Sequence, residues 1–192
     1  MSHMFQGALA FNQAVGDWNT SVVTNMEWMF NGAAAFNQAV GGLNTSAVTN
    51  MHRMFATTAF NQDISSWDVS SVTSMAAMFQ LAAAFDQDVG DWNTSAVTDM
   101  GWMFSPATTF DQGVGDWSTS AATVRNEMFN NTPSFSDGNK GLIETDCSTN
   151  ANWPYDWSAY VDSDGDGITG EVDPDDDNDG YSDAVENAQG TD

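Results

Sequence analysis

A repeat of about 25 residues limits the folds that are open to this chain. Phe occurs in pairs, and the first Phe of each pair recurs at steps of 25, 25, 24, 25 and 25 residues. All 12 Phe residues belong to these pairs, at positions 5, 11, 30, 36, 55, 60, 79, 85, 104, 110, 129 and 135. A unit this short cannot bury its own apolar face, so successive units must stack and share one core.

Two patterns within each unit predict its secondary structure. The apolar residues from Met26 to Ala33 follow the i, i+3, i+4, i+7 spacing of a helix, and Thr24 precedes them in the position of an N-cap. The short stretch 15–18, repeated at 64–67, is β-prone and lies among Gly, Asp and Asn. We therefore predict an α/β solenoid in which each coil has one short strand and one short helix.

The pattern MxxMFxxAxxFNQxxxxWxTSxVTxM resembles the bacterial surface-protein and surface-lipoprotein repeat that is related to BspA-like leucine-rich repeats. The resemblance extends from Phe5 to Phe135 and implies a leucine-rich-repeat-like solenoid at a cell surface, with adhesion as its role. It implies no particular ligand. Leu43 in place of Trp and Arg125 in place of Met depart from the pattern, which is lost after Phe135.

The chain divides into four segments. Residues 1–4 look like a cloning scar and are left out of the fold prediction, so we expect the natural protein to extend further upstream. Residues 5–135 are the solenoid of five full units, 136–160 an aromatic cap and junction, and 161–192 an acidic calcium-binding segment. The uncapped N-terminal coil leaves an edge for self-association.

Stacking turns each repeated position into a ladder, and several ladders allow two interpretations. The Asn, Asp and Gln ladders either satisfy backbone groups at turns or form a ligand-binding stripe; their members are Asn12, Asn37, Asn61, Asp86, Asp111, Gln13, Gln38, Gln62, Gln87 and Gln112. The Trp ladder is either a core wall or a platform for sugar rings; it comprises Trp18, Trp67, Trp92 and Trp117.

Regular Thr positions allow turn and capping roles, or an ice-binding surface, which we disfavour. One Thr ladder is Thr24, Thr49, Thr73, Thr98 and Thr123, and the other is Thr20, Thr45, Ser70, Thr94 and Thr119.

Two further Trp residues are candidates for ligand binding. Trp28 and Trp102 lie between the two core Met positions of their units, where other units carry Arg53 and Ala77. This position varies and should face outward, as a contact surface does. We expect Trp28 and Trp102 to contact a protein or glycan ligand at a cell surface.

Composition excludes several function classes. With 27 acidic and three basic residues the formal charge is −24, so the chain lacks the basic surface of a nucleic-acid-binding protein. No apolar run approaches the ~20 residues of a membrane-spanning helix, so we predict no direct membrane insertion. Outside residues 1–4, His52 is the single His. Asp17, Asp91 and Asp116 recur at one repeat position, which is typical of architecture, so we predict no enzyme activity.

The acidic segment contains two loops with the spacing of calcium sites. Residues 175–186 match D-x-D-x-D-G-x5-E, and residues 162–173 have Asp at positions 1, 3, 5 and 12. Ca²⁺ prefers six to eight oxygen ligands, one from the carbonyl at position 7. The predicted ligands are Asp162, Asp164, Asp166, Ile168, Asp173, Asp175, Asp177, Asp179, Tyr181, Asp183 and Glu186. The run is similar to the thrombospondin type-3 calcium repeat of bacterial surface proteins, which implies tandem Ca²⁺.

The calcium loops favour an extracellular or cell-surface location. Extracellular calcium modules bind at ~10⁻⁴–10⁻³ M, so such sites fill only outside a cytosol-like Ca²⁺ level. We predict a non-catalytic, extracellular ligand-binding or adhesion module of a larger bacterial surface protein. A carbohydrate-binding module and a purely structural spacer remain the alternatives.

Removing Ca²⁺ should extend residues 162–192 and leave the repeats intact, because only the acidic loops need a counter-ion. Limited proteolysis with and without a chelator measures this. New cleavage sites should appear only within 162–192, and identical digestion in both conditions would contradict the calcium sites.

Overall fold

The computed structural model describes residues 1–147 and 153–163. Residues 1–135 form a series of stacked coils, and each coil pairs with the next through an isolated parallel β-bridge. The bridges join Asn25 to Asn50, Asn50 to Ser74, Ser74 to Asp99, and Asp99 to Val124. The step of 24 or 25 residues in these pairs equals the Phe repeat, so sequence repeat and structural coil coincide.

A second line of hydrogen bonds joins neighbouring coils along the arc that follows each bridge. The amides of Met26, Trp28 and Phe30 donate to carbonyl oxygens of the next coil at 3.0, 2.9 and 3.0 Å. The amides between them turn back within the coil, as Met29 does by donating to the Met26 oxygen at 3.2 Å. Along this arc, backbone amides that donate to the next coil therefore alternate with amides that donate within their own coil. Few backbone groups are left to bind other partners.

The core is a continuous ladder of Phe and Met along the stack. Phe79 and Phe85 of one coil stack with ring centroids 3.8 Å apart, and Phe79 lies 5.9 and 5.7 Å from Phe55 and Phe104 of the two neighbouring coils. Phe and Met between positions 26 and 110 are 0% exposed. Each coil thus covers the apolar face of its neighbours, as a repeat of this length requires.

The Trp ladder forms one wall of this core. Trp67, Trp92 and Trp117 are 4%, 3% and 2% exposed. Their indole N–H groups donate to main-chain carbonyl oxygens of the preceding coil at 3.1, 3.2 and 2.9 Å. The core interpretation is confirmed for these three residues, while Trp18 of the first coil is 38% exposed.

The Asn and Gln ladders satisfy backbone groups between coils. The Oδ1 atom of Asn61 accepts the Asp86 amide at 3.0 Å and the Gln87 side-chain amide at 2.8 Å. Equivalent bonds recur at the other interfaces. The backbone-satisfying interpretation is confirmed, with these side chains at the surface of the stack.

The helix predicted in each unit is not formed. Residues 27–32 form turns, because Trp28 has a left-handed φ of 56° that interrupts a helical hydrogen-bond series. The same position is left-handed in the other units, with φ between 53° and 58° at His3, Arg53, Ala77, Trp102 and Glu127. The predicted strands at 15–18 and 64–67 are also absent, since the coil pairing lies at the Asn25 position instead.

The Thr ladders differ from the prediction in role and register. The Thr49 hydroxyl donates to the Thr24 carbonyl oxygen of the preceding coil at 3.1 Å, so it joins coils and caps no helix. The Thr20 hydroxyl, which is buried, donates to the Asn44 oxygen at 2.8 Å. In the third coil the buried position equivalent to Thr20 is occupied by Val69. Ser70 is instead the equivalent of Ser21, because its hydroxyl donates to the Asp68 carboxylate as the Ser21 hydroxyl donates to the Asn19 side chain.

Residues 1–4 take part in the stack. The amides of His3 and Phe5 donate to the oxygens of Glu27 and Met29 at 3.0 and 2.8 Å. Met1 and Met4 therefore hold the places that Met26 and Met29 hold one coil later. These contacts add residues 1–4 to the first coil of the stack, while their interpretation as a cloning scar stays a prediction.

A cap covers the last coil. Helix α1, Asp137–Cys147, buries Ile143 and Cys147 against the core, and a 3₁₀ turn follows at Ser158–Tyr160. The Phe129 amide, whose equivalents bind the next coil, donates to the Tyr155 hydroxyl oxygen at 2.8 Å. Gly141 permits this packing, since a Cβ there would lie 2.0 Å from the Tyr160 oxygen. The assignment to the leucine-rich-repeat-like solenoids and the segment limits stay predictions.

Replacing Phe79 with Ala should lower the free energy of unfolding by about 3–5 kcal/mol, because it opens a cavity that three stacked coils share. Urea unfolding measures the change. Leu81→Ala, at a side chain that is 52% exposed, is the matched control and should change stability by less than about 1 kcal/mol. Equal losses in both variants would contradict the stacked core.

Asp111 should make the junction between stack and cap sensitive to acid. Burial favours the neutral acid, but hydrogen bonds from Ser136 and Asn139 outweigh it and hold the pKa of Asp111 below its usual 3.8. This contribution to stability is complete above 3.8 and is lost as the pH falls through the lower folded-state pKa.

The Ser136 amide shift should report this titration in NMR spectra. Asp111→Asn should abolish it while keeping the acceptor oxygen, as Asn61 does in its own coil. A Ser136 shift that titrates equally in both proteins would contradict the role of Asp111.

Candidate functional site

The structure places both candidate Trp residues at the surface of one side of the stack. Trp28 is half-buried and Trp102 is 39% exposed. Their amides donate to the oxygens of His52 and Asn126 in the next coils at 2.9 and 3.0 Å. These bonds hold the left-handed backbone from which the two side chains project, at a cost of roughly 1–2 kcal/mol per residue.

Trp28 is the centre of a group of ring and cation contacts. The His3 ring stacks on it with centroids 5.8 Å apart, and the His52 ring lies tilted at 5.7 Å. The Arg53 guanidinium carbon lies 5.0 Å from the Trp28 ring centroid, which is within the range of a cation–π interaction. We call Trp28, His52, Arg53 and Trp102 the Trp face.

Small residues separate the two Trp side chains. Ala76 and Ala77 of the third coil lie between them and are 5% and 1% exposed. Trp28 and Trp102 are three coils apart, which at a spacing of about 4.8 Å per coil is roughly 14 Å. The Trp face therefore spans four coils, with an aromatic side chain at each end and two buried alanines in the third coil.

The Trp face differs in charge from the rest of the chain. Arg53 is one of three basic residues in a chain with a formal charge of −24. Burial and the Arg53 charge hold the pKa of His52 below its usual 6.5, so His52 is neutral at pH 7. Glu27 at the edge accepts a hydrogen bond from Asn50 at 2.8 Å and lies 3.6 Å from His3. The Trp face thus offers one cation beside the indole ring of Trp28.

The acidic residues considered for catalysis lie elsewhere. Asp91 and Asp116 line an open groove of about 340 Å³ together with Asp88. Within residues 1–147 and 153–163 no group of three or more His, Cys, Asp or Glu side chains is arranged to hold a metal ion. The prediction that the chain has no enzyme activity is not tested by this arrangement.

The predicted calcium ligands fall almost entirely outside the described residues. Asp162 is described and lines an open cavity of about 450 Å³ with Ser136, Asn139 and Tyr160. The other predicted ligands lie outside the described part: Asp164, Asp166, Ile168, Asp173, Asp175, Asp177, Asp179, Tyr181, Asp183 and Glu186. The calcium sites therefore stay predictions.

Sequence reasoning missed the roles of His52 and Arg53 beside Trp28. It treated both as occupants of a variable helix position, and a helix would have spread their side chains around its axis. The left-handed turn instead brings them to the Trp28 ring. Gly7 and Gly32, at a second left-handed position of the unit, were the available signal that this segment is no helix.

Comparisons with protein families identify two repeat types. Residues 1–59 and 44–142, which together span 1–142 of the 192 residues, match the family described as Mycoplasma protein of unknown function, DUF285. Residues 175–192 match the bacterial TSP3 repeat. Searches among curated proteins and among solved structures give no match. No described helix is both long and apolar enough to cross a membrane.

Proposed function

The chain belongs to the DUF285 family and is a bacterial surface repeat protein, and on this premise we propose that it is a non-catalytic, extracellular ligand-binding or adhesion module of a larger surface protein. Its partner is a protein or glycan at a cell surface. The stack serves as a rigid support of the leucine-rich-repeat-like solenoid kind, and the Trp face is the contact surface.

The exposure of Trp102 is the observation that carries this proposal. The other Trp residues in the middle of the stack are buried, whereas Trp102 is 39% exposed at a position where the third coil has Ala. An indole left in water at a position that alanine can fill contributes little to folding. Trp and Arg are the residues most enriched in the energetic centres of protein interfaces, and the Trp face combines both.

A carbohydrate ligand is the second candidate. Trp102 is 39% exposed, so part of its indole is accessible to a ligand. A flat apolar ring with a polar N–H suits the C–H face and hydroxyl groups of a sugar. A protein partner is favoured instead by the positive charge of Arg53, which would form an ion pair with an acidic side chain of that partner.

The C-terminal segment is proposed to bind Ca²⁺ and to stiffen the connection to the rest of the surface protein. The TSP3 match at 175–192 and the acidic spacing from Asp162 support this part of the proposal. Two bound ions would change the formal charge from −24 to −20, which reduces self-repulsion. Self-association through the first coil is a further proposal, supported by Leu9 and Val22, which are 69% and 86% exposed.

Binding of the 192-residue chain to glycan and protein arrays in millimolar Ca²⁺ tests the proposal. Trp102→Ala and Trp28→Ala should each weaken binding at least tenfold, about 1.4 kcal/mol, because each removes an exposed ring. Alanine stands at this position in the third coil, so both variants should fold.

Trp18→Leu is the matched control, since Trp18 is 38% exposed and the second coil has Leu at this position. It should leave binding unchanged. If the chain is only a structural spacer, it should bind no member of the arrays. Equal binding by the wild type, Trp102→Ala and Trp28→Ala would contradict the proposal that the Trp face is the binding site.

A further inference from the structure

Arg125 is a buried cation in the last coil of the stack. It occupies the position that Met26 and its equivalents fill in the other coils, and it is 1% exposed. A guanidinium remains charged in proteins, so burial does not remove its charge as it can for other groups. The last coil therefore has a buried positive charge at the position where the other coils have the uncharged side chain of Met.

The hydrogen bonds of Arg125 leave two of its nitrogens without a partner. Nη2 donates to the carbonyl oxygens of Thr119 and Ala122, the latter at 3.0 Å. Nε and Nη1 are buried and have no hydrogen-bond partner among the described residues. Both hydrogen bonds that Arg125 donates go to neutral oxygens, so they do not neutralise the charge, and a buried charge is stable only beside a counter-ion.

Cys147 also contacts Thr119. It is the last residue of α1 and is 0% exposed, and its Sγ atom is 3.2 Å from the Thr119 hydroxyl oxygen. Thr119 thus contacts the guanidinium through its carbonyl group and the sulfur through its side chain. Burial lowers the pKa of Arg125, and the charge of Cys147 acts in the opposite direction.

The described carboxylates near α1 have other partners. Glu144, one turn before Cys147, accepts the Trp153 indole N–H at 2.6 Å. Glu127 accepts a hydrogen bond from the Asn130 side chain at 3.0 Å. The side chain of Asp146 is outside the described set, so it enters the experiment as an alternative counter-ion.

We propose that the charge of the Arg125 guanidinium holds Cys147, which contacts the same Thr119, as a thiolate, so that this buried pair of charges fastens helix α1 to the last coil. The pair is also a modification site, because a thiolate is the nucleophilic form of cysteine. With an aromatic disulfide, the sulfur forms a new S–S bond and the reagent's S–S bond breaks. One aryl thiolate leaves with the electron pair, and no proton is released. The reaction proceeds only when α1 opens, since Cys147 is buried.

Thiolate absorbance near 240 nm, titrated with pH on the full chain, tests this pair without requiring access to the sulfur. The Cys147→Ser variant supplies the blank for Trp and Tyr. The ionisation midpoint of Cys147 should lie at least about one pH unit below the usual value of about 8.5 for a free thiol. A wild-type midpoint at or above that value would overturn the proposal.

Arg125→Met restores the residue of the other coils and should fold, as circular dichroism checks. Its thiol should ionise at about 8.5 or higher, because the sulfur stays buried and loses its counter-ion. Asp146→Asn should leave the wild-type midpoint in place. An ionisation midpoint of Cys147 that is unchanged in Arg125→Met would mean that Arg125 is not the counter-ion, and it would overturn the proposal. If Arg125→Met does not fold, Arg125→Lys replaces it. The lysine keeps the positive charge, so the midpoint of Cys147 should stay lowered.

Discussion

Stacking of one coil on the next is the interaction on which the rest of this structure depends. A single coil would expose its Phe pair, and burial of one such side chain is worth about 1.5–3 kcal/mol. The same contact supplies hydrogen-bond partners for amides that a left-handed turn cannot satisfy internally, as at Trp28. Because the strained turn forms only in the stack, neighbouring coils should fold together rather than one at a time.

The geometry of stacking also separates structural from contact residues. Positions that meet their own equivalents in the next coil, such as Phe79 and Asn61, admit few substitutions, because each change is felt by two neighbours. The position of Trp28 projects outward from the left-handed turn, and its neighbours in the ladder are Arg53 and Ala77. Variation is tolerated there, so the proposed ligand-binding strip can change without disturbing the core.

The last coil shows what the stack needs at its end. Where the repeat stops, a Tyr155 hydroxyl takes the place of a carbonyl oxygen, and the rings of Tyr155 and Trp157 cover Phe129. Arg125 lies at this end and not in a middle coil, where a charge would have Met on both sides. A cap built from a different sequence can supply partners that an identical coil cannot.

The sequence by itself determined the coil length, the stacking and the membership of most core positions, because each follows from a spacing of identical residues. It also identified Trp28 and Trp102 as outward-facing, since the two positions between the Met residues vary from unit to unit. Only the tertiary structure decided that the Met segment is a left-handed turn, that residues 1–4 belong to the stack and that Arg53 lies against Trp28. The spacing of Met26, Met29 and Phe30 fits a helix and this turn equally well. What separates the two is the hydrogen bonding to a neighbour 25 residues away, which no local pattern contains.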